Sequence, residues 1–125
     1  MQSCALQLHP DSPSHRVARI EVDVVRVSGG GLDLTYRVSG DLRNLLVAVA
    51  EPPARADDLW RHTCFEAFVS GAGGAYREFN FSPSGRWQAY AFSSYREGNL
   101  LAPAADPCIA CRHGPATLTL PRGLN

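Results

Sequence analysis

LWRHTCFEAFVSGAGGAYREFNFSPSGRWQAYAFSSYREG, Leu59 to Gly98, is the stretch whose reading decides the fold. In Thr63–Val69, Phe65, Ala67 and Val69 alternate with Cys64, Glu66 and Phe68, the period of two that marks a strand. SGAGGA then interrupts as a loop. In Tyr76–Ser82, Arg77, Phe79 and Phe81 share one face, and Tyr76, Glu78, Asn80 and Ser82 share the other. Ser82-Pro83-Ser84-Gly85 fits a tight turn, with Pro second and Gly fourth. From Arg86 to Ser94, Tyr90 and Phe92 alternate with Trp87, Ala89 and Ala91. Three strands with short connections make an antiparallel meander.

The flanking sequence is strand-like as well. VARIEVDVVRV, from Val17 to Val27, runs into Gly29–Gly31. Leu32, Leu34, Tyr36 and Val38 then alternate with polar residues, so two neighbouring strands are expected around the glycines. Leu45–Ala50, LLVAVA, reads as a buried strand or a helical turn. EPPARADD after it is a loop by its prolines and acids. ATLTL, Ala116 to Leu120, is a further strand, and the sequence given stops five residues later. A sheet lacking its last strands is one expectation from that spacing, with an open edge as the consequence. No long amphipathic helix is evident, so the expected fold class is an all-β antiparallel sandwich.

With 125 residues, 45% hydrophobic and 19% charged, the chain reads as a single globular domain over 1–125. Its 12 basic and 12 acidic residues cancel, which favours neither nucleic acid nor an anionic membrane as a partner. All the basic residues are arginine, spread from Arg16 to Arg122 without a cluster. The first residues lack the basic start and apolar run of a signal peptide. Cys4, Cys64, Cys108 and Cys111 are sparse, so no disulfide framework is expected, and the expected setting is cytoplasmic.

If Phe65, Ala67, Val69, Phe79, Phe81, Tyr90 and Phe92 form the core face, the opposite face carries Glu66, Tyr76, Glu78, Asn80 and Trp87, with Ala89 and Ala91 as small neighbours. Carboxylates and an amide hydrogen-bond hydroxyls, and an indole plane packs on a sugar's C–H face. The alternative is a solvated sheet face. A bulge within SPSGRW would instead place Trp87 in the core.

Trp60-x-x-Thr63-Cys64-Phe65-Glu66-Ala67-Phe68, Tyr76-x-Glu78-Phe79-Asn80-Phe81-Ser82-Pro83-Ser84-Gly85-x-Trp87-x-Ala89-Tyr90 and Tyr95-Arg96-Glu97-Gly98 together resemble the DOMON-like group. That group is related to family 9 carbohydrate-binding modules and to the DOMON superfamily of haem- and sugar-binding domains. The resemblance implies an immunoglobulin-like or jelly-roll sandwich that binds a ligand and is not an enzyme. The strand carrying Glu66 and the one carrying Glu78 and Asn80 match the group's core signature. Taken with the face reading above, the expected ligand is a carbohydrate or other small polar molecule, with Trp87 stacking, Glu66, Glu78 and Asn80 hydrogen-bonding and Tyr76 lining the site. Trp60 and Trp87 could supply the aromatic clamp of sugar-binding relatives. Two alternatives are a haem-binding electron-transfer domain and a protein-interaction sandwich without a small ligand. Haem-binding members use Met and His ligands, whereas the only Met here is Met1 and the nearest His is His62.

Weaker signals remain. Cys108-Ile-Ala-Cys111 with His113 is a C-x-x-C between prolines, read as incidental in preference to a redox pair or half a zinc site. Asp57, Asp58, Glu66 and Glu78 could supply oxygen ligands to Ca²⁺. Glu66 and Glu78 also have the residue types of a glycosidase acid–base pair, without any hydrolase motif. No metal and no resident cofactor is therefore expected.

Overall fold

In the computed structural model, residues 1–12, 17–26, 28, 31–70, 72–94, 97–100, 112–113 and 117–124 are described, the last three ranges, 72 and 94 by backbone alone. Strands dominate: β1 (Gln2–Ala5), β2 (Val17–Arg26), β3 (Leu32–Gly40), β4 (Phe65–Ser70), β5 (Tyr76–Phe81), β6 (Trp87–Ser94), β7 (Glu97–Leu100), β8 (Arg112–His113) and β9 (Thr117–Leu124). Among the described residues the only helical pieces are short 3₁₀ turns at Leu59–Arg61 and Ala72–Gly74. The all-β antiparallel class expected from the alternation is what the chain adopts: among the described residues these strands pair with one another antiparallel throughout, in one sheet of order β1-β2-β3-β9-β8 and another of order β4-β5-β6-β7.

The chain divides into two compact units, Met1–Leu46 with Pro107–Asn125, and Val47–Asp106. In the first, β2 and β3 form the expected neighbouring pair, with Val22 opposite Tyr36 and Val24 opposite Leu34. Directly opposed residues share a face, so Val22, Leu34, Tyr36 and Val38 collect on one side, and all four are buried. The other face is ionic. Asp23 lies two residues from Glu21 and across from Thr35; it accepts hydrogen bonds from Arg37, one of them at 3.1 Å, and from the Ser3 hydroxyl at 2.6 Å. These bonds, Arg37 first, hold the Asp23 carboxyl down at about 2. β2 carries a register shift between Val17 and Arg19. The strand expected at ATLTL is β9, which continues to Leu124 and pairs with β3 from Leu32 to Ser39.

One expectation fails here, and one strand was not foreseen. LLVAVA forms neither strand nor helical turn: Leu46 and Val49 are 86% and 80% exposed. Its uniform apolarity carries no period, and Leu45 is held only in a turn, donating its N–H to the Leu42 carbonyl at 3.1 Å. β1 was not expected, because a four-residue strand with every residue exposed leaves no apolar pattern. The C-x-x-C at Cys108 and Cys111 lies outside the described residues.

In the second unit, β4, β5 and β6 are the expected meander. Its second hairpin determines which side chains share a face. Gly85 donates to the Ser82 carbonyl at 3.0 Å, closing a β-turn with Pro83 in second position, and Ser82 N–H then bonds the Arg86 carbonyl at 2.9 Å. The loop is thus three residues, Pro83-Ser84-Gly85, and Gly85 adopts φ +97° as the extra residue of a bulge. A two-residue turn would pair Asn80 with Trp87. The bulge pairs Phe81 with Trp87 and Asn80 with Gln88.

That one residue reverses every side chain of β6 relative to the sequence expectation. One face carries Phe65, Ala67, Val69, Arg77, Phe79, Phe81, Trp87, Ala89 and Ala91. The other carries Glu66, Phe68, Ser70, Tyr76, Glu78, Asn80, Gln88, Tyr90 and Phe92. Trp87 is 3% exposed, and Phe65, Phe81 and Ala89 are buried with it.

Candidate functional site

The polar face of β4, β5 and β6 holds most of the residues singled out in the sequence, graded along the strands. At one end Glu66, Asn80 and Gln88 form a cross-strand row, followed by Phe68, Glu78 and Tyr90, then Ser70, Tyr76 and Phe92. The first and third rows are about 13 Å apart along β4.

The first row is fixed by a strap from residues 51–57. Glu51 N–H bonds the Ser84 carbonyl at 2.8 Å, and Arg55 forms a parallel bridge to Trp87. Arg55 Nε then donates to Gln88 Oε1 at 2.8 Å, its Nη2 donates to the Ala89 carbonyl at 3.1 Å, and its guanidinium lies 4.8 Å from the Trp87 ring centre. Gln88 Nε2 donates to Asp57 Oδ1 at 3.1 Å. The amide of Gln88 is thereby committed to the strap. Asn80, its cross-strand neighbour, is 3% exposed and its Oδ1 accepts no hydrogen bond. Buried amide oxygens are normally satisfied, and leaving one unpaired costs about 1–3 kcal/mol.

Electrostatics single out the same place. Glu78 is half-buried, and among the described residues no hydrogen bond or ion pair holds its carboxylate. Burial raises its pKa, and Glu66 raises it further. Cys64 sits just before β4. Burial pushes its thiol up to about 11, with Glu66 and Glu78 adding to the effect and a backbone hydrogen bond at Phe81 opposing it. The Tyr90 hydroxyl is raised by burial and by Asp57, Glu78 and Asp58, against Arg55. Negative charge and acceptor atoms therefore converge here, and Arg55, a nearby cation among the described residues, is already engaged. A half-buried carboxylate such as Glu78, with no countercharge among the described residues, marks a candidate site.

Beyond this acidic patch the face becomes aromatic. Tyr76 and Phe92 stack at 4.7 Å with 9° between the ring planes; Phe68 stands 6.3 Å from Tyr76, and Tyr90 stands 6.2 Å from Phe92. Phe68 is 58% exposed. A depression of about 350 Å³ opens where the strands end, lined by Tyr76, Phe92, Ser70 and, from the opposite face, Val69, Arg77 and Ala91. It lies at the aromatic end of the face, about four residues along the strands from Asn80.

Glu66, Glu78, Asn80 and Tyr76 are thus brought together on one face. Trp87 is not: the bulge at Gly85 turns it inward beside Phe65 and Phe81. Trp60 sits in the Leu59–Arg61 turn, 59% exposed, with the Arg61 guanidinium 5.1 Å from its ring. A buried Trp87 cannot clamp a ligand with it. Nor do Asp57 and Asp58 join Glu66 and Glu78 around a metal. Asp57 accepts from Gln88, Asp58 lies 3.9 Å from Arg61, and no group of three or more His, Cys, Asp or Glu among the described residues could hold a metal ion. Met1 and His62, the haem-ligand candidates, are exposed.

Sequence reasoning passed over Gln88, Tyr90, Phe92 and Arg55. The alternation within WQAYAF groups Gln88 with Tyr90 and Phe92; what it lacks is the link across the turn that places them beside Asn80. Arg55 carries no local signal. Among the described residues no helix is long and apolar enough to cross a membrane. No protein-family model, curated protein or solved structure matches the chain.

Proposed function

We propose that this chain is a non-catalytic binding module whose β4–β5–β6 polar face takes a small polar ligand, with a carbohydrate as the class that the resemblance to DOMON-like domains suggests. The observation that carries the reading is the combination of an uncompensated, half-buried Glu78 with the unaccepted Oδ1 of Asn80. A solvated sheet face needs neither. Glu66, Glu78 and Asn80 supply hydrogen bonds, and the Tyr76–Phe92 stack is the platform in place of Trp87. Cys4 and Cys64, both free, suit a reducing, cytoplasmic setting.

The test is a thermal-shift screen against monosaccharides, disaccharides and polyols, since a ligand that binds the native state raises Tm with its occupancy. The reading expects a saturable rise that disappears in both Glu78→Ala and Tyr76→Ala, each still melting cooperatively. A rise that survives both substitutions would place binding elsewhere and refute the site.

A further inference from the structure

The depression of about 350 Å³ at the end of β4 and β5 differs in chemistry from the acidic rows beside Asn80. Its walls are hydrocarbon and ring: Val69, Ala75 and Ala91, with the Tyr76–Phe92 stack at 4.7 Å. Ser70 contributes a hydroxyl, and Arg77 is the one charged residue among the described residues that line it. The strand register accounts for that setting. Arg77 lies between Val69 on β4 and Ala91 on β6, which carry no charge and are too short to cover a guanidinium. Glu78, next in the chain, projects from the other face of β5. Among the described residues no hydrogen bond or ion pair holds the Arg77 side chain. Arg77 is exposed, so water serves it in the free protein. What singles it out is its place, a lone cation on a concave, otherwise apolar surface. Small-ligand sites of this size combine apolar walls with a few polar groups that fix orientation.

We infer that this depression binds a carboxylate carried on an apolar or aromatic body: the Arg77 guanidinium takes the carboxylate, and the body packs against Ala91 and the Tyr76–Phe92 stack. A guanidinium matches the two carboxylate oxygens side by side and keeps its charge at every pH at which proteins fold. Stacked rings offer a flat apolar wall to a ligand ring or acyl chain. A phosphate monoester carries close to two charges at neutral pH and calls for a second cation, which the described lining residues do not supply. An amine would be repelled by Arg77, and a sugar would leave its charge unmatched. The inference goes beyond the sugar reading and does not rest on it: Glu66, Glu78 and Asn80 take no part, and Tyr76 and Phe92 serve only as a wall.

The whole chain, ¹⁵N-labelled, is titrated at pH 7 with phenylacetate, phenylacetamide and acetate, followed by amide chemical shifts. Phenylacetamide keeps the shape of phenylacetate without its charge, and acetate keeps the charge without the ring. The expected result is a saturable shift at Val69, Ser70, Arg77 and Phe92 with phenylacetate, at a Kd of millimolar order because a single exposed ion pair contributes little. Phenylacetamide and acetate should each bind about fivefold more weakly, and Arg77→Gln should weaken phenylacetate by about fivefold. The inference is overturned if phenylacetamide or acetate binds as tightly as phenylacetate, if Arg77→Gln keeps the parental affinity, or if phenylacetate moves other residues and not these. Each of those results leaves the response of Glu78 and Asn80 to sugars to be judged by itself. Should Arg77→Gln lose its dispersed spectrum, the comparison of acid with amide in the unmodified chain decides alone.

Discussion

Replacing Trp87 by alanine separates an inward indole from the ligand-stacking one that its sequence position suggests. Trp87 is 3% exposed and opposes Phe81 across the β5–β6 ladder. A buried tryptophan hides roughly 150–250 Å², about 4–6 kcal/mol of transfer free energy as an upper bound. Truncating a large aromatic in a packed core costs about 3–5 kcal/mol. Against that, the indole Nε1 is buried without a partner. Removing it relieves a desolvation penalty of about 1 kcal/mol or more. The net expectation is a loss of about 2–4 kcal/mol. In urea, with a slope near 2 kcal/mol per molar, the midpoint falls by about 1–2 M. Trp60→Ala is the internal control. With 59% of Trp60 exposed and only the Arg61 contact to lose, it should cost under about 1 kcal/mol. Fluorescence gives a second reading: in Trp60→Phe, the remaining Trp87 should emit at short wavelength and resist acrylamide quenching. A Trp87→Ala protein that unfolds within about 0.5 kcal/mol of the parent, with an unchanged slope, would refute the inward placement and the register behind it.

Gly85→Ala should cost about 1–2 kcal/mol by urea denaturation, because φ +97° strains any L side chain while the new Cβ would meet only the Glu51 carbonyl at an ordinary 3.4 Å; a neutral result would mean the bulge is not formed. Asp23 titrates lower in the folded protein than in the unfolded chain, so its contribution is present above the usual carboxylate range and lost as pH falls from about 3.8 towards 2. Melting curves of Asp23→Asn should accordingly be flatter than those of the parent across that interval, and parallel curves would contradict the Arg37 pairing. Glu78 has the opposite sign. Its raised pKa means that ionisation opposes folding as pH rises past the ordinary glutamate value, so Glu78→Gln should raise the urea midpoint at pH 7. With its thiol pushed up to about 11, Cys64 should alkylate more slowly at pH 8 than exposed Cys4, as peptide mapping can follow; equal rates would argue against burial beside Glu66.

The strands of the meander were legible because each alternates over at least six residues, and alternation is set by the pleat alone. Their relative facing was not, because it depends on whether Gly85 counts as a strand residue or as a bulge. Ser-Pro-Ser-Gly is compatible with both turns. Choosing between them requires the bond from Ser82 N–H to the Arg86 carbonyl, which sequence does not display. The consequence was confined to β6: Glu66, Glu78, Asn80 and Tyr76 were grouped on one face from the outset, while Trp87 was exchanged with Tyr90 and Phe92. LLVAVA misled for a different reason, since apolar content without a period says nothing about what covers it, and Leu46 and Val49 stay exposed. The strap that binds Gln88 was out of reach because Arg55 and Gln88 are 33 positions apart in the chain. Such pairings belong to tertiary structure, and that Glu78 has no countercharge among the described residues becomes visible only once the described arginines have been assigned.

We propose that the face carrying Glu66, Glu78, Asn80 and Tyr76 receives a ligand. This is tested most directly by following the Asn80 side-chain amide and the Glu78 backbone amide by NMR during a titration of the whole chain with sugars and polyols. The account predicts saturable shifts at these two residues and at Tyr76, with Trp87 and the ionic face around Asp23 unmoved. Saturable binding mapped to any other surface, with the Asn80 amide unchanged, would contradict it.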